Sequence, residues 1–93
     1  MVYVDTAAIQ KGGRTWFHML SDGSLDELHE IAGKIGLKRE WFQDRDIPHY
    51  DVVTGKKHRA IQEGAEVANF EKMKELLAYW RTQKNAKNES KTT

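Results

Sequence analysis

Apolar positions along the chain follow two rhythms, a period of two in some stretches and a period near 3.6 in others. Val2-Tyr3-Val4 is a short β-branched and aromatic run and predicts a strand. From Thr15 to Leu20 alternate residues place Thr15, Phe17 and Met19 on one face and Trp16, His18 and Leu20 on the other. Apolar groups on both faces predict a central, covered strand; the polar stretch before it turns at Gly12-Gly13. Ser24-Leu25-Asp26-Glu27 matches a capping box, and Leu25, Leu28, Ala32 and Ile35 recur at helical spacing. Gly36 is the left-handed stop, with Leu37 folding back on the last turn.

Lys38 to Gln43 is too short for periodicity to assign, and Trp41 and Phe42 are expected inside. Pro48 biases Ile47 towards extended backbone, so Ile47 to Val53 reads as a strand entering at the sheet edge. Thr54 is the expected cap of a short helix from Gly55 to Glu63, with Ala60 and Ile61 inward and Gly64 ending it. Glu66 to Ala68 suits a brief strand. Asn69 then caps a last helix with Phe70, Met73, Leu76, Leu77 and Trp80 on one face. The expected fold is α/β (α+β), one single-layer sheet of about three to four short strands packed with three helices. A single domain over residues 1–84 and a disordered polar tail at 85–93 complete the expectation.

Composition narrows the function classes. Fifteen basic and fourteen acidic side chains leave a net charge of +1, so no global field favours duplex nucleic acid. The chain has no cysteine, which excludes disulfides, thiolate catalysis and cysteine-type zinc sites. No apolar run approaches a membrane span, and the opening residues lack a signal-peptide pattern, so the expected location is cytoplasmic. With 93 residues the core is modest, and a homo-oligomer is one way to support it.

Chemistry is densest between Pro48 and Arg59, P-H-Y-D-V-V-T-G-K-K-H-R. In an extended segment His49 and Asp51 point to one side and Tyr50 to the other. Such a pair is half a metal site, an oriented general base, or a hydrogen-bonded structural pair. A metal needs more ligands, and His18 and Asp22 are the candidates from another motif. Because no clustered ligand spacing closes the set, the reading is no metal and no cofactor. His29, at the edge of the first helix's apolar face, is assigned to packing. Trp16, Trp41 and Trp80 are core by default, although Trp41 beside Gln43 could stack a planar base. Lys56, Lys57, His58 and Arg59 begin a helix, where cations oppose the helix dipole unless an anion is supplied. A solvated basic face is the alternative.

The segments V-Y-V-D, H-M-L-S-D-G-S-L-D-E-L-H-E-I-A-G-K-I-G-L, W-F-Q, P-H-Y-D, K-K-H-R-A and E-G-A together resemble the small bacterial and phage family called domain of unknown function 4031 (DUF4031), over roughly residues 1–66. The resemblance implies a pattern at His18, Asp22, Trp41, Gln43, His49, Tyr50, Asp51, Lys56 and Arg59. It implies no activity. The stretch from Phe70 to Trp80 lies outside the matched part.

Those nine residues form the expected ligand site. Lys56 and Arg59 would hold phosphate, Trp41 or Tyr50 would stack a base, and Gln43, His49 and Asp51 would hydrogen-bond base or ribose. The first expectation is capture of a phosphorylated, nucleotide-like small molecule. The phage link implied by the resemblance makes this a sponge for a nucleotide immune signal, acting in the host cytoplasm. The second is an enzyme on a phosphate compound, with His49 as base, Asp51 orienting it and Arg59 stabilising charge. The third is a protein-interaction module docking through the last helix.

Overall fold

The computed structural model describes the backbone of residues 1–92 and the side chains of residues 1–83, so the side chains of the tail expected to be disordered, 85–93, lie outside the described residues. One mixed five-stranded sheet is built around β3 (Arg14–Ser21), with β1 (Val2–Val4), β2 (Ile9–Lys11), β4 (Tyr50–Val53) and β5 (Glu66–Val67). Three helices complete it, α1 (Leu25–Lys34), α2 (Thr54–Gln62) and α3 (Phe70–Thr92), with a short 3-10 turn at Arg39–Trp41. The fold class is as expected; the fifth strand is β2.

The central strand is long enough to take three partners. β1 pairs antiparallel with its last residues (Val4 opposite Met19) and β2 with its first (Ile9 opposite Trp16). β4 pairs along the middle, setting His18 opposite Asp51 and Met19 opposite Tyr50. β5 runs parallel to β1. The tight β2–β3 turn uses Gly12 and Gly13 at φ 62° and 75°, the left-handed geometry that a two-residue hairpin demands.

Both faces of β3 are covered at its end, Met19 to Ser21, whereas Arg14 to His18 stay exposed or partly exposed, less cover than the double apolar pattern predicts. On one, Met19, Tyr50 and Val52 pack with Val4 against Leu28 and Ala32 of α1, its C-cap Ile35 and Ala60 of α2. On the other, Leu20 and Tyr3 meet Leu76, with Met73 and Trp80 of α3 at the margin. Full burial of a side chain such as Leu28 contributes about 1.5–3 kcal/mol. The second cover is partial, since α3 spans the Tyr3–Leu20 part of its face and not the His18 part.

Local signals set the helix ends. The Ser24 hydroxyl accepts from the Glu27 amide at 3.2 Å, while the Glu27 carboxylate, instead of closing the capping box, accepts from the Met1 amino group. Leu37 N–H donates to Ala32 C=O and Gly36 N–H to Gly33 C=O, a Schellman ending with Gly36 at φ 83°. α2 ends the same way at Gly64. Asn69 caps α3 by accepting from the Lys72 amide at 2.8 Å.

Four expectations are corrected. Thr54 is the first residue of α2 and not its cap. Trp41 is 50% exposed, Ile61 faces outward, and Phe70 is 73% exposed. Single apolar residues on the surface are ordinary, because core membership depends on tertiary neighbours that a local pattern does not contain. Among the described residues, no helix is long and apolar enough to cross a membrane.

Candidate metal centre

His49 and Asp51 do share a face of β4, while Tyr50 between them is 1% exposed and belongs to the core beneath α1. The β3–β4 register brings His18 to the same face. One ligand atom from each of His18, His49 and Asp51 lies within 4.8 Å of the others. Asp51 Oδ1 is 3.4 Å from His49 Nε2 and 3.9 Å from His18 Nε2. Those separations are long for hydrogen bonds. A tetrahedral site has a ligand–ligand edge of about 3.3 Å for bonds of about 2.0–2.1 Å, so the His49–Asp51 edge is near that value and His18 must move inward to seat an ion.

The other ring nitrogens are already committed. His18 Nδ1 is 2.5 Å from Asp5 Oδ2, and His49 Nδ1 is 2.7 Å from the Ile47 carbonyl oxygen. With Nδ1 donating in both rings, both Nε2 atoms keep lone pairs aimed at Asp51. A carboxylate and a backbone carbonyl behind two imidazoles is the arrangement that fixes tautomer and raises ligand basicity in metal sites. The remaining oxygen of Asp51 is held too: Gln43 Nε2 donates to Oδ2 at 2.6 Å.

Asp5 stands at the break between β1 and β2, where the chain leaves β3 after Asp5 N–H donates to His18 C=O. It is 4% exposed, and its Oδ1 also accepts the His18 amide at 2.9 Å. Burial pushes its carboxyl pKa up, but the hydrogen bonds from the His18 ring and backbone and from Ala7 outweigh that and hold it below the usual range. The hydrogen bond to Asp5 raises the His18 pKa against the opposing effect of burial, with help from the charges of Asp5 and Asp51. Lys57 Nζ donates to the Asp5 carbonyl at 3.0 Å and lies 3.9 Å from the centre of the Phe17 ring, tying α2 to this corner.

Two grooves flank the triad. One, of about 580 Å³, is lined by Ile9, Lys11, Arg14, Trp16 and His18, and the other, of about 410 Å³, by Leu37, Trp41, Gln43 and Lys56. Arg14, Trp16 and Asp51 line both.

Other expected site residues are engaged elsewhere, although Lys56 also lines the second groove. Asp22 pairs with the Met1 amino group at 3.2 Å, so the third ligand position next to His49 and Asp51 is filled by His18 and not by Asp22. Lys56 Nζ donates to Ile35 C=O at 2.6 Å and Arg59 to Lys34 C=O at 3.2 Å. These cations therefore sit on the carboxyl end of α1, where a helix dipole is negative and last-turn carbonyls need donors. That explains their place at the start of α2 without an anion.

A family model described as a protein of unknown function, DUF4031, matches residues 2–80. The chain belongs to the DUF4031 family. The match runs through Trp80, so the first part of α3, expected to fall outside the family's pattern, is inside it. Comparison with curated proteins and with solved structures finds no match. Within this DUF4031 chain, Asp5, Arg14 and Trp16 are site residues that sequence reasoning missed. Only V-Y-V-D pointed towards Asp5, and Trp16 was legible as the strand neighbour of His18.

Proposed function

We propose that this DUF4031 protein is a metal-dependent hydrolase whose ion is held by His18 Nε2, His49 Nε2 and a carboxylate oxygen of Asp51. The observation that carries the reading is the convergence of three ligand atoms whose partner groups are all satisfied from behind, on a face that α3 leaves open. Two imidazoles and one carboxylate with a free coordination position form the donor set of catalytic zinc sites. A metal held there supplies a Lewis acid and lowers the pKa of bound water towards neutrality. The protein's part is to fix both histidine tautomers through Asp5 and Ile47, keep Asp51 oriented through Gln43, and present the substrate from the flanking grooves. In the hydrolysis the water oxygen loses a proton to solvent and adds to the electrophilic centre, the leaving oxygen departs with the bonding pair, and it takes a proton from solvent.

Capture of an intact ligand is a second reading, and one feature favours it. Apart from His18 and Asp51, the residues lining the two grooves offer no second carboxylate or imidazole to act as general acid or base.

Zinc and manganese titrations by calorimetry, followed by assays with 4-nitrophenyl phosphate, bis(4-nitrophenyl) phosphate and 4-nitrophenyl acetate, test both readings. The expected result is one ion per chain, metal-dependent release of nitrophenol, and loss of both in His18→Ala and Asp51→Ala with the fold retained by circular dichroism. Metal affinity unchanged in those variants would overturn the site. Tight metal binding without turnover of any ester would leave capture as the function.

A further inference from the structure

The grooves also define what lies against the metal site, an inference that rests on the metal-dependent reading. We infer that the ligand class is a nucleoside monophosphate, a planar ring joined to one phosphate, with Arg14 as its phosphate anchor and Trp16 and Trp41 as its ring walls. Both grooves fall within the size of small-molecule pockets, about 300–1,000 Å³. They meet over Asp51, so one ligand can reach from either groove across the triad.

The unengaged charge comes from the β2–β3 hairpin, because Lys56 of α2, which also lines the 410 Å³ groove, already donates to Ile35 C=O. Lys56 and Arg59 are engaged with α1, whereas the Arg14 and Lys11 side chains have no ion pair among the described residues. Arg14 opens β3 opposite Lys11, which puts both cations at the mouth of the 580 Å³ groove. A guanidinium meets phosphate with paired donors, and a metal beside it favours the same anion.

The walls are aromatic. The Trp16 indole N–H donates to the Lys11 carbonyl at 3.1 Å, which fastens the ring to the hairpin. Trp41 is half exposed on the 410 Å³ groove, beside the Gln43 amide. An exposed indole next to an amide offers a face for stacking a base and donors or acceptors for its edge. The bulk and planarity of a purine or pyrimidine ring, together with a phosphate, satisfy this inventory. A sugar phosphate leaves the rings unused, and a nucleoside leaves Arg14 unused.

The probes are AMP, adenosine, ribose 5-phosphate and an oligothymidylate, each titrated against zinc-loaded protein by stopped-flow tryptophan fluorescence so that binding is read before turnover. AMP is expected to bind at least about tenfold more tightly than adenosine or ribose 5-phosphate, from the worth of one stacked base or one charged hydrogen bond. Trp41→Ala and Arg14→Gln, both surface changes, should each weaken AMP by about tenfold or more on the same grounds while leaving zinc affinity intact. If zinc binds but AMP does not, or the two variants bind AMP like the wild type, the ligand class is overturned and the metal reading stands. Binding of the oligothymidylate without AMP would overturn it in favour of a single strand. If zinc does not bind, the hydrolase reading falls, and AMP against zinc-free protein with the same two variants still decides the ligand class.

Discussion

Two histidine environments lie back to back across one strand. On the core side His29 of α1 places Nδ1 2.8 Å from the Tyr50 hydroxyl, and its ring stands edge-on to Phe42 with centroids 4.5 Å apart. On the open side His18 and His49 have their Nδ1 atoms tied to Asp5 and Ile47, while both Nε2 atoms face Asp51 Oδ1 at ion-pair distances of 3.9 and 3.4 Å, long for a hydrogen bond. The first environment spends its polar valence inside the fold, through a tyrosine. The second invests a buried carboxylate and a carbonyl in holding two rings, and still leaves three ligand atoms over. That surplus separates a packing histidine from a functional one, and neither exposure nor residue type alone does so.

The strongest way to break the contrast is to alter what lies behind the open side. Asp5→Asn keeps the shape of the side chain but removes the charge and presents an amide to His18, which weakens control of its tautomer. Loss of such an outer partner typically costs about 10–100-fold in metal affinity, and that is the expected drop in a zinc titration. Thermal unfolding of the metal-free variant should be measured alongside, because Asp5 also accepts the His18 amide. A variant that folds and binds zinc with wild-type affinity would show that Asp5 serves the strand break alone.

A smaller effect is expected on the core side. Tyr50→Phe deletes the hydroxyl facing His29, in a residue that is otherwise fully buried. Since His29 is only half-buried and water can reach it, the cost should be that of one net hydrogen bond, about 1 kcal/mol. For a domain of this size that lowers the melting temperature by about 4–8 °C. Zinc affinity should not move. A tenfold weakening there would mean that the two faces of β4 are coupled and the contrast is false.

What the sequence disclosed tracks how local the cause was. α1 was legible because Ser24, the 3.6-residue spacing and Gly36 are all local, and the Schellman bonds at Leu37 follow from them. His49 and Asp51 sharing a face follows from the period of a strand. β2 was not legible: Ile9-Gln10-Lys11 is exposed throughout, and a hairpin with one apolar residue leaves no alternation to read. His18 reaches Asp51 only through the β3–β4 register, and Asp5 reaches His18 only because β1 breaks where it does, both long-range outcomes. The basic run misled for a related reason. Lys56 and Arg59 oppose their own helix dipole, but the field that matters to them is that of α1, whose bonded carbonyls lie 21 and 25 residues earlier in the chain.

The smallest effect is a loss of stability on the acid side. Burial lowers the His29 pKa and the charge of Arg39 adds to this, against weaker opposition from Asp26 and Asp44. The folded state therefore resists protonation of His29 more than the unfolded chain does. Unfolding takes up a proton once the pH falls below the unfolded value, about 6.5. His29 thus contributes stability that is fully present above that value and is lost as pH drops towards its lower folded value. His18, whose pKa is raised, contributes with the opposite sign, so wild-type stability alone will not separate the two. Melting temperatures of metal-free wild type and His29→Gln between about pH 7.5 and 5, a window centred near the ordinary histidine value, give the needed difference. Wild type should lose ground to His29→Gln on the acid side. A flat difference, or one of the reverse sign, would place His29 outside the core environment and dissolve the distinction between the two faces.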